Sequence, residues 1–171
     1  MSRNLVIAMV VCGLAFLLWG HSPASAANSI GVGVHYWTAV KDIDVENVDK
    51  SGFSVIGSFQ NRMAGFSTLE LDLEIFGEGY AGAEKKVLSP QGYLLFGKSL
   101  YGGAGLGINY SDGTYSDPFF ALRAGVDLEV LPAIHLDLNA NYRFENWNFE
   151  NVRRDVKTGN VTLGAIVRLG F

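Results

Sequence analysis

From Ala27 onward, apolar side chains recur at every second position, and no stretch shows the 3.6-residue repeat of an amphipathic helix. The alternation predicts eight strands. The first runs over Ser29–Ala39 with Ile30, Val32, Val34 and Tyr36 on one face, and the second over Gly52–Gln60 with Phe53, Val55 and Phe59. In the third, Phe66–Phe76, Leu69, Leu71, Leu73 and Ile75 alternate with Glu70, Asp72 and Glu74. The fourth, Val87–Gly97, leaves its faces undecided because Tyr93-Leu94-Leu95-Phe96 is apolar on both, and Pro90 predicts a late start or a bulge. The fifth, Leu100–Tyr110, sets Ala104, Leu106 and Ile108 against Gly103, Gly105 and Gly107. In the sixth, Asp117–Leu131, Phe120, Leu122, Ala124, Val126, Leu128 and Val130 oppose Arg123, Asp127 and Glu129. The seventh, Ala133–Glu145, sets Leu136, Leu138, Ala140, Tyr142 and Phe144 against His135, Asp137, Asn139, Asn141 and Arg143. The eighth, Gly159–Phe171, sets Val161, Leu163, Ala165, Val167, Leu169 and Phe171 against Thr162, Gly164, Ile166, Arg168 and Gly170.

The connections alternate as well. Lys41–Ser51, Gly77–Lys86, Ser111–Ser116 and Asn146–Thr158 are longer and polar, whereas the links near Asn61–Gly65, Lys98-Ser99 and Pro132 are tight. An all-β, closed, antiparallel up-and-down eight-stranded transmembrane barrel has this rhythm, with long loops outside and short turns on the periplasmic side. Alternation by itself does not say which face meets water. The apolar faces are as long as a tilted membrane-crossing strand of about 9–11 residues requires. Aromatic residues also gather at strand ends, as interfacial girdles do: Tyr36, Phe53, Tyr110, Phe120, Tyr142 and Phe144 towards the loops, Phe59 and Phe171 towards the turns. Glycines on the opposite face (Gly31, Gly33, Gly103, Gly105 and Gly107) leave room for long side chains in a narrow lumen. The apolar face is therefore read as lipid-facing.

Composition adds the compartment. Met1–Asn4 is a short basic start, Leu5–Trp19 an apolar run, and Ala24-Ser25-Ala26 a small-x-small cleavage site, so residues 1–26 read as a secretory signal and 27–171 as the barrel domain. The apolar run is short for a spanning helix, which needs about 20 residues. The single cysteine, Cys12, lies in the signal, so the mature chain has no disulfide framework. Of the 171 residues, 13 are Lys or Arg and 17 are Asp or Glu, giving a net charge of −4 and no basic field for nucleic acid.

The signal, the eight alternating strands and the terminal Arg168-Leu169-Gly170-Phe171 resemble the small outer-membrane β-barrel family, the OmpA, OmpX and OmpW-like set. The likeness runs over the whole mature chain and is one of pattern rather than of a sharp motif. It implies location in the outer membrane of a Gram-negative bacterium, contact with outer-membrane lipid and lipopolysaccharide, and a monomeric barrel. It also implies an assembly signal at Phe171 and Leu169, read by the barrel assembly machinery after escort by periplasmic chaperones. An aromatic residue is more usual in that family where Leu169 stands. Its members include structural and surface-interaction barrels, small-solute channels and a few lipid A-modifying enzymes, so the fold leaves function open.

The candidate chemistry lies on the lumen face. Glu70, Asp72, Glu74, Asp127, Glu129 and Asp137 face Arg123, Arg143 and Arg168, and buried charges of both signs must pair. Strand direction predicts Arg168 near the turn side with Asp137 and Glu129, and Arg123 and Arg143 near the loop side with Glu74. A packed polar core is the expected role, with a proton-sensitive conduit as its functional counterpart. Enzyme signals are thin. The resemblance supplies a His-x-Ser pair in lipid A deacylases, but His35 is followed by Tyr36-Trp37 and His135 by Leu136-Asp137. His135 with Asp137 is too few ligands for a metal site. Gly103–Gly107 lacks the spacing of a dinucleotide fingerprint, and Asp42, Asp44 and Glu46 lack the glycine and distal glutamate of a calcium loop. No cofactor is expected. Lys85, Lys86, Arg153, Arg154 and Lys157 in the outer loops are candidate contacts for lipopolysaccharide phosphates. The leading expectation is a non-enzymatic barrel for envelope support or surface interaction. The alternatives are a narrow channel for small or amphipathic solutes, a lipid A-modifying enzyme, and a soluble lipocalin-like barrel with the faces inverted.

Overall fold

The computed structural model describes residues 28–40, 49–63, 65–147 and 156–171. The proposed signal, the Asp42–Glu46 segment, Arg153 and Arg154 lie outside the described residues. Eight long strands form the fold: β1 Asn28–Ala39, β2 Ser51–Arg62, β3 Ser67–Phe76, β4 Val87–Gly97, β5 Leu100–Gly107, β6 Phe119–Leu131, β7 Ile134–Trp147 and β8 Val156–Gly170. Each pairs antiparallel with its sequence neighbours, and β1 pairs with β8 from Ser29–Gly170 to Ala39–Asn160, so the sheet closes on itself. Closure leaves no unpaired edge, which is the condition for a sheet to cross a bilayer. The terminal residue takes part: Phe171 N donates to Asn28 O at 2.9 Å.

The apolar face points outward. Val32, Phe53, Val55, Leu100, Leu106, Leu122, Leu163 and Val167 are all exposed, while Glu70, Glu74, Asp137 and Arg143 are fully buried. This inversion excludes the soluble lipocalin-like barrel, whose apolar face would line its cavity. Aromatic pairs lie on the outer face near both strand ends: Tyr36 with Phe53 at 5.4 Å and Phe120 with Phe144 at 5.8 Å towards the loops, Phe66 with Phe96 at 6.1 Å towards the turns.

Three local expectations change. β4 starts at Val87 with Pro90 inside it, rather than late, and its pairing with β3 runs unbroken from Val87 to Phe96. Pro90 disturbs the other neighbour instead. Ile108 N donates to Pro90 O at 3.2 Å, but proline has no N–H to return, and β5 ends at Gly107 rather than Tyr110. Tyr110 nevertheless stays in register with Leu88, at the foot of a short hairpin in which Tyr110–Ser111 pairs with Thr114–Tyr115.

The undecided faces of β4 are settled by packing. Tyr93 and Leu95 turn inward with Tyr101, Phe119 and Ala121, leaving Leu94 and Phe96 outside. The third change concerns the polar loop Gly77–Lys86, which folds back into the mouth of the barrel. Tyr80, Ala81 and Ala83 are buried there against Trp37, Phe76 and Val87. The reversal uses left-handed backbone at Gly79, Ala81 and Gly82, with φ of 86°, 55° and 81°.

Candidate functional site

Alternation along β3 sends Glu70, Asp72 and Glu74 into the lumen one above another, and the neighbouring and facing strands supply their partners. Two layers result. In the turn-side layer Glu70 is the hub: its Oε1 lies 2.6 Å from Arg123 Nη1, 2.8 Å from Arg168 Nη2 and 3.0 Å from Ser58 Oγ, while Gln60 Nε2 donates to its Oε2 at 2.8 Å. The same Arg123 nitrogen lies 2.8 Å from Asp72. Arg168 also reaches Ser58 Oγ at 2.6 Å and Asp137 at 3.3 Å, and Tyr101 Oη donates to Asp137 at 2.8 Å. Arg123 Nε donates to Asn141 Oδ1, and the Arg123 guanidinium sits 3.9 Å above the Tyr93 ring.

The loop-side layer is centred on Glu74. It pairs with Arg143, accepts from Ser54 Oγ and Gln91 Nε2, and lies 3.1 Å from His35 Nδ1. Gln91 links the layers, because its Oε1 accepts from Tyr93 Oη at 2.6 Å. Above Arg143, Tyr80 Oη donates to Glu145 at 2.8 Å and accepts from Asn160 Nδ2 at 3.0 Å. Its ring stacks on Phe76 at 3.8 Å and meets Trp37 edge-on at 4.8 Å, closing the mouth. Burial, with the Glu145 carboxylate beside it, raises the Tyr80 phenol well above the ordinary tyrosine range. Tyr80 thus remains a hydrogen-bond donor through the neutral range.

The structure therefore brings Arg168 to Asp137 and Arg143 to Glu74. It places Arg123 with Glu70 and Asp72, on the turn side of Glu74, instead of at Glu74's level. Asp127 and Glu129 stand apart from the buried network. Asp127 lies at the turn-side rim with His135 Nδ1 at 3.1 Å and Arg62 at 3.9 Å, and Glu129 is exposed. Phe171 and Leu169 are exposed on the outer wall at the seam. Lys85 is engaged by Asp112 at 2.7 Å, whereas Lys86 is exposed with no ion-pair partner among the described residues. The described side chains do not include that of Lys157.

Several members went unread in the sequence. Ser54, Ser58 and Gln60 share the inward face of β2, and period-2 counting would have exposed them. Gln91 and Tyr93 were hidden by the two apolar faces of β4. Tyr80 had no signal, because its role depends on a loop folding inward. Ser54, His35 and Glu74 do come together, but both Ser54 and His35 address the carboxylate rather than each other. A nucleophile relay needs the serine on the imidazole.

No family model and no curated protein matches the sequence. Among solved structures, the chain is similar to Neisserial surface protein A (NspA), with a TM-score of 0.64 at 19% identity over 88% of this chain and 100% of that one. Ail of Yersinia pestis, solved with the heparin analogue sucrose octasulfate, gives 0.47 at 20% identity over 83% and 97%. OprG of Pseudomonas aeruginosa gives 0.47 at 15% identity over 84% and 93%. Closed ring, outward apolar wall, charged interior and the NspA superposition agree: the chain has the fold of the small eight-stranded outer-membrane β-barrels.

Proposed function

We propose that residues 27–171, freed of the leader 1–26, form a monomeric, non-enzymatic barrel of the Gram-negative outer membrane. Its interior is closed by ion pairs, and its loops serve envelope support or surface contact. The carrying observation is the state of the lumen. Arg123, Arg143 and Arg168 are all buried across a width filled by Glu70, Asp72, Glu74, Asp137 and Glu145. An eight-stranded barrel has room for its own side chains and little else. Purified barrel in planar bilayers is expected to show no unitary current steps, and steady steps would refute the closed reading. Lipid A isolated with and without the protein is expected to have the same mass, because Ser54, His35 and Glu74 are sealed inside, away from the lipid wall. Phe171 and Leu169 on the seam would serve as the assembly signal.

The narrow-channel reading has one observation of its own. A polar cavity of about 260 Å³ opens at the turn-side mouth, lined by Gln60, Arg62, Asp127, Glu129, His135 and Arg168 among others. A conduit would begin there and would have to pass Arg168. That reading requires a current that changes in Arg123→Ala or Glu74→Gln, and a silent bilayer for all three proteins would end it.

A further inference from the structure

The outer wall carries a notch just below the loop rim. The register places Val34, Val55, Ile75 and Leu88 side by side across β1 to β4, all outward. The β2–β3 and β3–β4 registers end at Ser54–Phe76 and Phe76–Val87, and the residues just beyond them, Phe53, Gly77 and Lys86, line one groove. Gly77 has no side chain, and a Cβ placed there would meet nothing within 4 Å. The result is an apolar groove of about 360 Å³ walled by Val34, Phe53, Val55 and Ile75, floored at Gly77 and headed by Lys86.

Lys86 differs from its neighbour. Lys85 is held by Asp112, and Ser111 Oγ donates to the Lys86 carbonyl at 3.3 Å, fixing the backbone while the ammonium stays exposed and unpaired among the described residues. The aromatic pair Tyr36–Phe53 beside the groove marks the interfacial level. An unpaired cation at that level, above an aliphatic slot on a membrane wall, complements a lipid whose phosphate lies at the interface and whose chain lies below it. We infer that this groove seats one phosphorylated lipid of the surrounding leaflet, with an acyl chain along Val34, Phe53, Val55 and Ile75 and the phosphate on Lys86. This rests on the reading of the apolar wall as membrane-embedded, and deepens it by naming a seat and a headgroup chemistry.

The test is native mass spectrometry of the detergent-solubilised barrel with phosphatidylglycerol or with phosphate-free diacylglycerol of identical acyl chains. The wild-type protein is expected to retain one phosphatidylglycerol about fivefold better than diacylglycerol, the preference that one surface cation confers on a phosphate. Lys86→Gln is expected to abolish the preference and keep the residual binding. Gly77→Leu, which fills the slot without touching the charge, is expected to lower retention of both lipids. A boiled-against-unboiled gel shift shows that each variant is folded. Equal retention of the two lipids by the wild type, or unchanged retention in both variants, would overturn the seat. Displacement of the lipid by inorganic phosphate alone would also overturn it, because the groove would then contribute nothing. A protein that stays soluble without detergent and shows no gel shift would instead bring down the membrane reading, and the seat with it.

Discussion

Replacing Glu70 by glutamine tests whether the lumen is a dry, packed interior. The substitution preserves shape and removes one charge at the point where Arg123 and Arg168 converge, at 2.6 and 2.8 Å. Both guanidiniums are buried and would be left to Asp72 and Asp137, of which Asp137 is 3.3 Å from Arg168. Breaking a buried pair from one side costs about 3–5 kcal/mol, because the remaining charge stays desolvated. The glutamine oxygen can still accept one hydrogen bond, so we place the loss at about 3 kcal/mol. The assay is urea-induced unfolding in lipid, followed by tryptophan fluorescence and by the loss of the heat-modifiable gel form. Arg168→Met in the same background closes a double-mutant cycle. With one guanidinium gone along with the carboxylate, the pair of substitutions should cost clearly less than the two singles added. In a water-filled lumen the same ion pairs would be screened and worth at most about 1 kcal/mol. A Glu70→Gln loss below that level, with additive singles, would refute the closed interior.

Tyr80→Phe removes the hydroxyl bonded to Glu145 and Asn160 and should cost about 1.5–3 kcal/mol by the same assay, the range for a buried hydrogen bond to a charged group. Because burial holds the folded Tyr80 phenol well above the ordinary tyrosine value of 10.0, its contribution is constant below about pH 10 and falls as pH rises beyond it, when only the unfolded phenol ionises. An alkaline unfolding series should show that fall in the wild type and a smaller one in Tyr80→Phe. Ala133→Gly should stabilise the barrel by about 0.5–1 kcal/mol, since Ala133 holds φ of 65° in the two-residue link between β6 and β7. Gly164→Ala should lower stability by more than about 2 kcal/mol, because its Cβ would overlap the His35 ring that addresses Glu74. Gly57→Ala on the outer wall, where a Cβ meets nothing, should change it by less than about 0.5 kcal/mol.

The two aliphatic walls of β3 and β8, the charged face of β3 and the outward position of Phe171 were all legible in the sequence, because a strand's side-chain period is a local property of its backbone. Strand number and the rhythm of long and short connections were legible for the same reason. Partnership inside the lumen was not. Whether Arg123 meets Glu74 or Glu70 depends on the stagger between β6 and β3, which face each other across the barrel without pairing. With Arg143 occupying Glu74 and the Tyr93 ring under its guanidinium, Arg123 turns towards Glu70 and Asp72. Tyr93 itself became inward only once β4 was placed between β3 and β5. The loop Gly77–Lys86 gave no hint of turning inward, because its few apolar residues gain burial only when Trp37, Phe76 and Val87 are already assembled around the mouth. Alternation, taken with strand length, the aromatic strand ends and the small residues on the opposite face, thus determined a closed barrel with a greasy outside and a charged inside. Only the closed tertiary structure decided which charges meet, what stops the mouth and where the wall leaves a notch, because these depend on cross-barrel distances that no local periodicity encodes.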